Sequence, residues 1–153
     1  MAKSRAPLVW LYALSLIAIA FIWGNSLLSK NASGAFSSAV ETWLLRLFRL
    51  EALPFDVRKL AHFTEFAVLG ALLLLLTAAA FRVRLQSVVN CLFFLLLAAL
   101  TDETIQIFTG RGPQVQDVWL DFAGGAAGLL VMLALVQLLR CLFRPRRRPA
   151  ADA

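Results

Sequence analysis

Residues 102–128 read DETIQIFTGRGPQVQDVWLDFAGGAAG. Four carboxylates, Asp102, Glu103, Asp117 and Asp121, lie in this stretch with Gln106 and Arg111. It is bounded by two runs of nearly pure hydrocarbon, VVNCLFFLLLAAL over residues 88–100 and LLVMLALVQLL over residues 129–139. Two apolar helices therefore approach one surface and present acids there. The breakers Thr109, Gly110, Arg111, Gly112 and Pro113 supply the tight loop between them. A charged side chain at the centre of a membrane helix costs roughly 2.5 to 3.5 kcal/mol and normally faces protein or a water-filled cavity. Acids placed this way need a reason beyond solubility.

The composition agrees with a membrane setting. Of 153 residues, 61% are hydrophobic and 16% charged, with a mean hydropathy of +0.79. Soluble domains run at about 45–50% apolar and about 25% charged. The net charge of +6 does not signal nucleic acid, because many cations flank apolar runs as orientation signals do and no fold that reads nucleic acid is visible. Cys91 and Cys141 lie in or at the ends of apolar runs without CxxC spacing, and both read as small buried hydrophobes.

Outward from the central stretch, the chain reads as one all-α membrane domain over residues 1–153, a bundle of four transmembrane helices with a short interfacial amphipathic helix. The spans fall at about residues 8–28, 60–81, 88–108 and 118–143, each long enough for a hydrocarbon core of roughly 30 Å. The first span follows Lys3 and Arg5 and also has the marks of a signal peptide, with a weak cleavage site at Ser33, Gly34 and Ala35. Trp10, Tyr12 and Trp23 at its ends favour a retained anchor. The polar, small residues 31–38 read as a loop. Val40, Trp43, Leu44, Leu47 and Phe48 then recur at i, i+3, i+4, i+7 and i+8, which predicts the interfacial helix over about residues 38–50, closed by Pro54. Arg82 and Arg84 end the second span, and residues 144–153 form a basic tail.

Four spans put both termini on one side. Lys3, Arg5, Arg82, Arg84, Arg140, Arg144 and Arg146, Arg147 and Arg148 make nine cations on that side; Lys30, Arg46, Arg49, Arg58, Lys59 and Arg111 make six on the other. The positive-inside rule then makes the termini cytoplasmic. Independently of absolute orientation, parity brings the start of span two, the end of span three and the start of span four to one surface. Lys59, His62, Glu65, Asp102, Glu103, Gln106, Arg111, Asp117 and Asp121 become a co-facial candidate polar site.

Helical spacing narrows the set. Asp117, Asp121, Gly124 or Gly125, and Gly128 form one stripe, acids outward and glycines below. The pair Gly124 and Gly128 admits a close neighbour helix, which would press Asp121 into the bundle. Lys59, His62, Glu65, Phe66 and Leu69 form a stripe on span two, and Gln106 shares a face with Asp102 or Glu103.

With KLAHFTEF at residues 59–66 added to the central stretch, the chain resembles the VanZ-like family over about residues 53–130. The agreement is specific because the charged positions and their spacings match together. Phe66 stands where that family often has tyrosine, and Thr109 and Gln114 stand where proline and serine are frequent. The resemblance implies a small polytopic bacterial inner-membrane protein, linked through its namesake to tolerance of glycopeptide antibiotics such as teicoplanin. It implies no settled biochemical activity.

Three readings of the polar residues compete. They form a structural network in which Arg111 and Lys59 neutralise acids; or they bind the phosphate or carboxylate of a lipid or cell-envelope precursor through Lys59 and Arg111; or they catalyse hydrolysis or transfer on a lipid-linked substrate, with Glu65, Asp102 or Asp121 as base, His62 as partner and Arg111 as charge stabiliser. Buried ion pairs often add no stability over apolar packing, which weakens the first. The lack of an identifiable nucleophile favours binding, so membrane lipids and a lipid-linked precursor are the expected partners. Arg111 is expected to pair with one or more of Asp102, Glu103, Asp117 and Asp121. No cofactor or metal is assigned: His62 and Glu65 with Asp117 or Asp121 suit a divalent ion, but a His and a Glu three residues apart are not a specific signal. No P-loop, nucleophile elbow or HExxH helix is present.

Overall fold

A computed structural model of the chain describes residues 6–28, 30–49, 51–54, 56–109 and 114–143. Among these residues the protein has five helices and no strand: α1 (Ala6–Ser26), α2 (Lys30–Phe48), α3 (Val57–Ala80), α4 (Leu85–Phe108) and α5 (Val115–Leu142). Four of them, α1, α3, α4 and α5, are long and apolar enough to cross a membrane. In hydrocarbon each backbone N–H and C=O must find its partner within the protein, and a helix satisfies them locally.

The bundle is built around α3, which packs against every other helix and most closely against α5. Glycines explain the intimacy. A Cβ added at Gly128 would run into the carbonyl of Ala67, one at Gly124 into the carbonyl of Phe63, and one at Gly70 into the carbonyl of Gly125. Without side chains at these points the two backbones touch, which is how helices gain packing in a solvent as apolar as leucine. Gly70, on the α3 side of the crossing, carries no distinguishing mark in the sequence.

The core is narrow. Phe66, Leu69, Leu74, Leu95, Leu129 and Ile22 are fully enclosed, while Leu16, Phe21, Phe93, Val131 and many other large apolar side chains point outward. This distribution suits lipid, where outward hydrocarbon costs nothing.

The helix limits differ from the sequence reading in two places. Residues 31–38 are helical, not a loop, so α2 begins eight residues before position 38. Ser38 Oγ donates to the Gly34 carbonyl at 2.7 Å and Thr42 Oγ1 to that of Ser38 at 2.8 Å, so these hydroxyls are absorbed by the helix instead of capturing the backbone in a turn. α2 also ends before Pro54 is reached: Arg49 takes a left-handed φ of 54°, the conformation in which many helices stop. α2 does not join the bundle, and α3 is its main neighbour. Trp43, Leu47 and Phe48 stay exposed on it.

Cys91 is buried, with Sγ 3.5 Å from Thr77 Oγ1. Cys141, expected to be buried, is exposed. It lies in the last turn of α5, where every described residue from 137 to 143 is exposed, so no neighbouring helix covers it.

Candidate functional site

The end of α1, the start of α3, the end of α4 and the start of α5 meet at one end of the bundle. The start of α3 is fixed by Asp56, whose side chain accepts from the backbone N–H groups of Arg58 at 2.8 Å and Lys59 at 3.3 Å. This N-cap satisfies donors that a helix cannot pair internally. It also sets the phase of α3, so that Arg58, Lys59, His62 and Glu65 rise along the edge of the site.

Asp102 is the centre, fully buried on α4. Ser26 Oγ donates to its Oδ1 at 2.7 Å, and Gln106 Nε2 donates to its Oδ2 at 2.8 Å. His62 Nδ1 lies 3.8 Å from the same Oδ2. Gln106 Nε2 also reaches Ser26 Oγ at 3.4 Å, which closes a small polar ring across α1 and α4. Asp121, 2% exposed, faces this group from α5. One ligand atom from each of His62, Asp102 and Asp121 lies within 4.8 Å of the other two.

Above this inner layer is a rim. Lys59 Nζ lies 3.3 Å from Asp117 Oδ1, and Arg58 Nη2 lies 3.8 Å from Asp117 Oδ2. Arg58, Lys59, His62, Gln106, Asp117, Leu120 and Asp121 enclose a recess of only about 10 Å³. That is roughly the space of one water molecule.

Glu65 and Glu103 are turned to other tasks. Glu65 Oε1 accepts from Asn25 Nδ2 at 2.8 Å, which ties α3 to the end of α1. Glu103 Oε1 accepts from the Gln114 backbone N–H, the residue that precedes α5, so the acid of one helix end holds the start of the next. Thr109 adds a bond from its hydroxyl to the Ser26 carbonyl at 3.2 Å.

Eight of the nine predicted site residues thus stand at one end of the bundle, in three sets. His62, Asp102, Gln106 and Asp121 form the inner layer, and Lys59 pairs with Asp117 at the rim; Glu65 and Glu103 are helix-to-helix ties. Arg111, with its expected pairing, lies outside the described residues. The cation that meets Asp117 alongside Lys59 is Arg58, which the sequence reading used only for charge counting. Asn25 and Ser26 were also missed. The one available signal was three consecutive small or polar residues, Gly24, Asn25 and Ser26, ending a span that parity brings to this surface.

Below the rim, Ile17, Ala18, Phe21 and Ile22 of α1 and Thr64, Glu65 and Val68 of α3 line an open cleft of about 280 Å³. Its accessible lining is apolar.

Four membrane-length helices around a buried, acid-rich polar cluster at one end define a multi-pass α-helical membrane protein. Within that class the chain belongs to the VanZ/LLP1 family, whose sequence profile matches residues 8–139. No curated protein and no solved structure matches it.

Proposed function

We propose that this VanZ/LLP1-family protein binds an anionic lipid or lipid-linked cell-envelope precursor at the rim of the polar site. The reading rests on Arg58 and Lys59, two partly exposed cations that converge on the single carboxylate of Asp117. A phosphate or carboxylate arriving there meets two cationic side chains already held in place. The recess beneath, about 10 Å³, has no room for a phosphate group, so the head group sits on the rim and the buried acids select against deeper entry. The apolar cleft between α1 and α3 begins about two turns below and accommodates an acyl chain. The excess of cations on the other side of the bundle supports an orientation with both termini in the cytoplasm of a bacterium and the site on the outer face of its inner membrane. There the protein meets envelope precursors, and occupancy of the site alters glycopeptide tolerance.

Native mass spectrometry of the protein released from nanodiscs containing phosphatidylglycerol and phosphatidylcholine tests the binding. Wild type retains the anionic lipid preferentially, and a variant with both Arg58→Ala and Lys59→Ala loses the preference. Equal retention by both proteins overturns the reading.

One contact favours a second reading. His62 Nδ1 approaches a buried carboxylate, Asp102, that Ser26 and Gln106 hold in position, the arrangement of a general base with its orienting partner. Mass spectrometry of envelope lipids from cells carrying wild type, His62→Ala or Asp121→Asn separates the two. A product made only with wild type establishes an enzyme. Unchanged lipids together with altered glycopeptide binding at the cell surface support the binding role.

A further inference from the structure

We propose that His62, Asp102 and Asp121 form a binding site for a divalent transition-metal ion of the Zn2+ or Mn2+ kind. The three come from three helices, α3, α4 and α5, and have no sequence spacing that advertises a metal site. The fold brings one ligand atom of each within 4.8 Å of the others. Donors that share an ion at roughly 2.1 Å in tetrahedral geometry stand about 3.4 Å apart, so the widest pair closes by up to about 1.4 Å when the ion enters.

Three independent features point to a ligand here. Asp121 is 2% exposed, yet its Oδ1 has no hydrogen-bond partner among the described residues. Buried carboxylates are normally paired or coordinated. The described cations nearby, Arg58 and Lys59, are engaged by Asp117 at the rim. The recess that His62, Gln106 and Asp121 help to line has about 10 Å³ of space, enough for one ion or water and too small for an organic ligand. Finally, Asp102 is oriented by donors on both oxygens, Ser26 Oγ and Gln106 Nε2, as outer-shell groups orient ligating carboxylates.

The donor set decides the class of ion. One imidazole nitrogen and two carboxylate oxygens suit Zn2+ or Mn2+, whereas Mg2+ and Ca2+ prefer oxygen alone. Three protein ligands leave a coordination position open toward the rim. The proposal does not depend on lipid binding, because the ion would be held by the protein alone.

The test uses the full-length protein, purified in detergent, stripped with chelator and titrated with ZnCl2 or MnCl2 by calorimetry, with bound metal counted by elemental mass spectrometry. One ion per chain is expected, with Zn2+ tighter than Mn2+ and a hundredfold excess of Mg2+ unable to compete. Asp121→Asn, close to isosteric, and His62→Ala should each weaken binding at least about tenfold, and Ser26→Ala should weaken it about tenfold through Asp102. Glu41→Gln on exposed α2 should leave it unchanged. If wild type takes up neither ion at millimolar concentration, the proposal is wrong. It is equally wrong if His62→Ala, folded by circular dichroism, binds as tightly as wild type. The His62 arm keeps the test decisive should Asp121→Asn not fold.

Discussion

At the scale of single residues, the polar end is governed by the cost of leaving a buried carboxylate without donors. Asp102 is fully buried and takes a hydrogen bond on each oxygen. Removing one donor leaves an oxygen desolvated and unmatched, a loss of about 1–3 kcal/mol in proteins generally and nearer 1 between membrane helices. Ser26→Ala is therefore expected to lower stability by about 1 kcal/mol in reversible unfolding in mixed micelles. In a double-mutant cycle Ser26→Ala and Asp102→Ala should be non-additive by at least about 0.5 kcal/mol, because the second change removes the group the first one stranded. Additive costs would show that the 2.7 Å bond carries no coupling. Asn25→Ala breaks the tie to Glu65, which joins α1 to α3 at the same level, and a similar loss is expected for it.

Between helices, the decisive feature is the crossing of α3 and α5. Gly128 faces the Ala67 carbonyl with no room for a methyl group, and Gly124 faces that of Phe63. Gly128→Ala forces the two backbones apart, which costs about 1–3 kcal/mol as overpacking does elsewhere. Gly24 in α1 has nothing within 4 Å of an added Cβ, so Gly24→Ala is expected to be neutral or slightly stabilising. Thermal unfolding of the two variants side by side checks the contrast, and comparable melting temperatures would contradict a backbone contact at Gly128. The same crossing carries Asp121 on α5 toward His62 on α3. The Gly128 variant should therefore also disturb whatever the polar end binds, although position 128 lies nearly two turns below Asp121.

For the whole molecule, the parity of four crossing helices fixes which ends lie together, and the uneven distribution of cations predicts which end faces the cytoplasm. In a background with Cys91→Ser and Cys141→Ser, a cysteine at Ser38 is expected to react with an impermeant maleimide in intact cells. One at Ser87 should react only after permeabilisation. The opposite pattern would invert the orientation and put the rim of Arg58 and Lys59 in the cytoplasm, which would exclude an outward-facing precursor as its ligand. Retaining Cys141 adds an internal check, since this exposed thiol is expected to label with Ser87 and buried Cys91 is not.

The sequence by itself determined the number of crossing helices and the convergence of the acids on one surface. Both follow from local rules: hydrocarbon requires every backbone polar group to be paired within its own helix, and alternating direction then assigns each helix end to a side. Runs such as residues 88–100 and the charges that bound them carry that information directly. The tertiary structure alone decided which polar groups touch. Spacing along α3 left His62 equally available to Glu65 and to an acid on another helix. The rotation set by Gly70, Gly124 and Gly128 turns it toward Asp102 and Asp121 while Glu65 goes to Asn25. Ser26 and Asn25 escaped notice because short polar residues are common near the ends of spans and acquire meaning only from what they face. The helical start of α2 was hidden for a related reason: serine and threonine favour turns when their hydroxyls bond the local backbone, and only the folded chain shows that Ser38 and Thr42 bond within the helix.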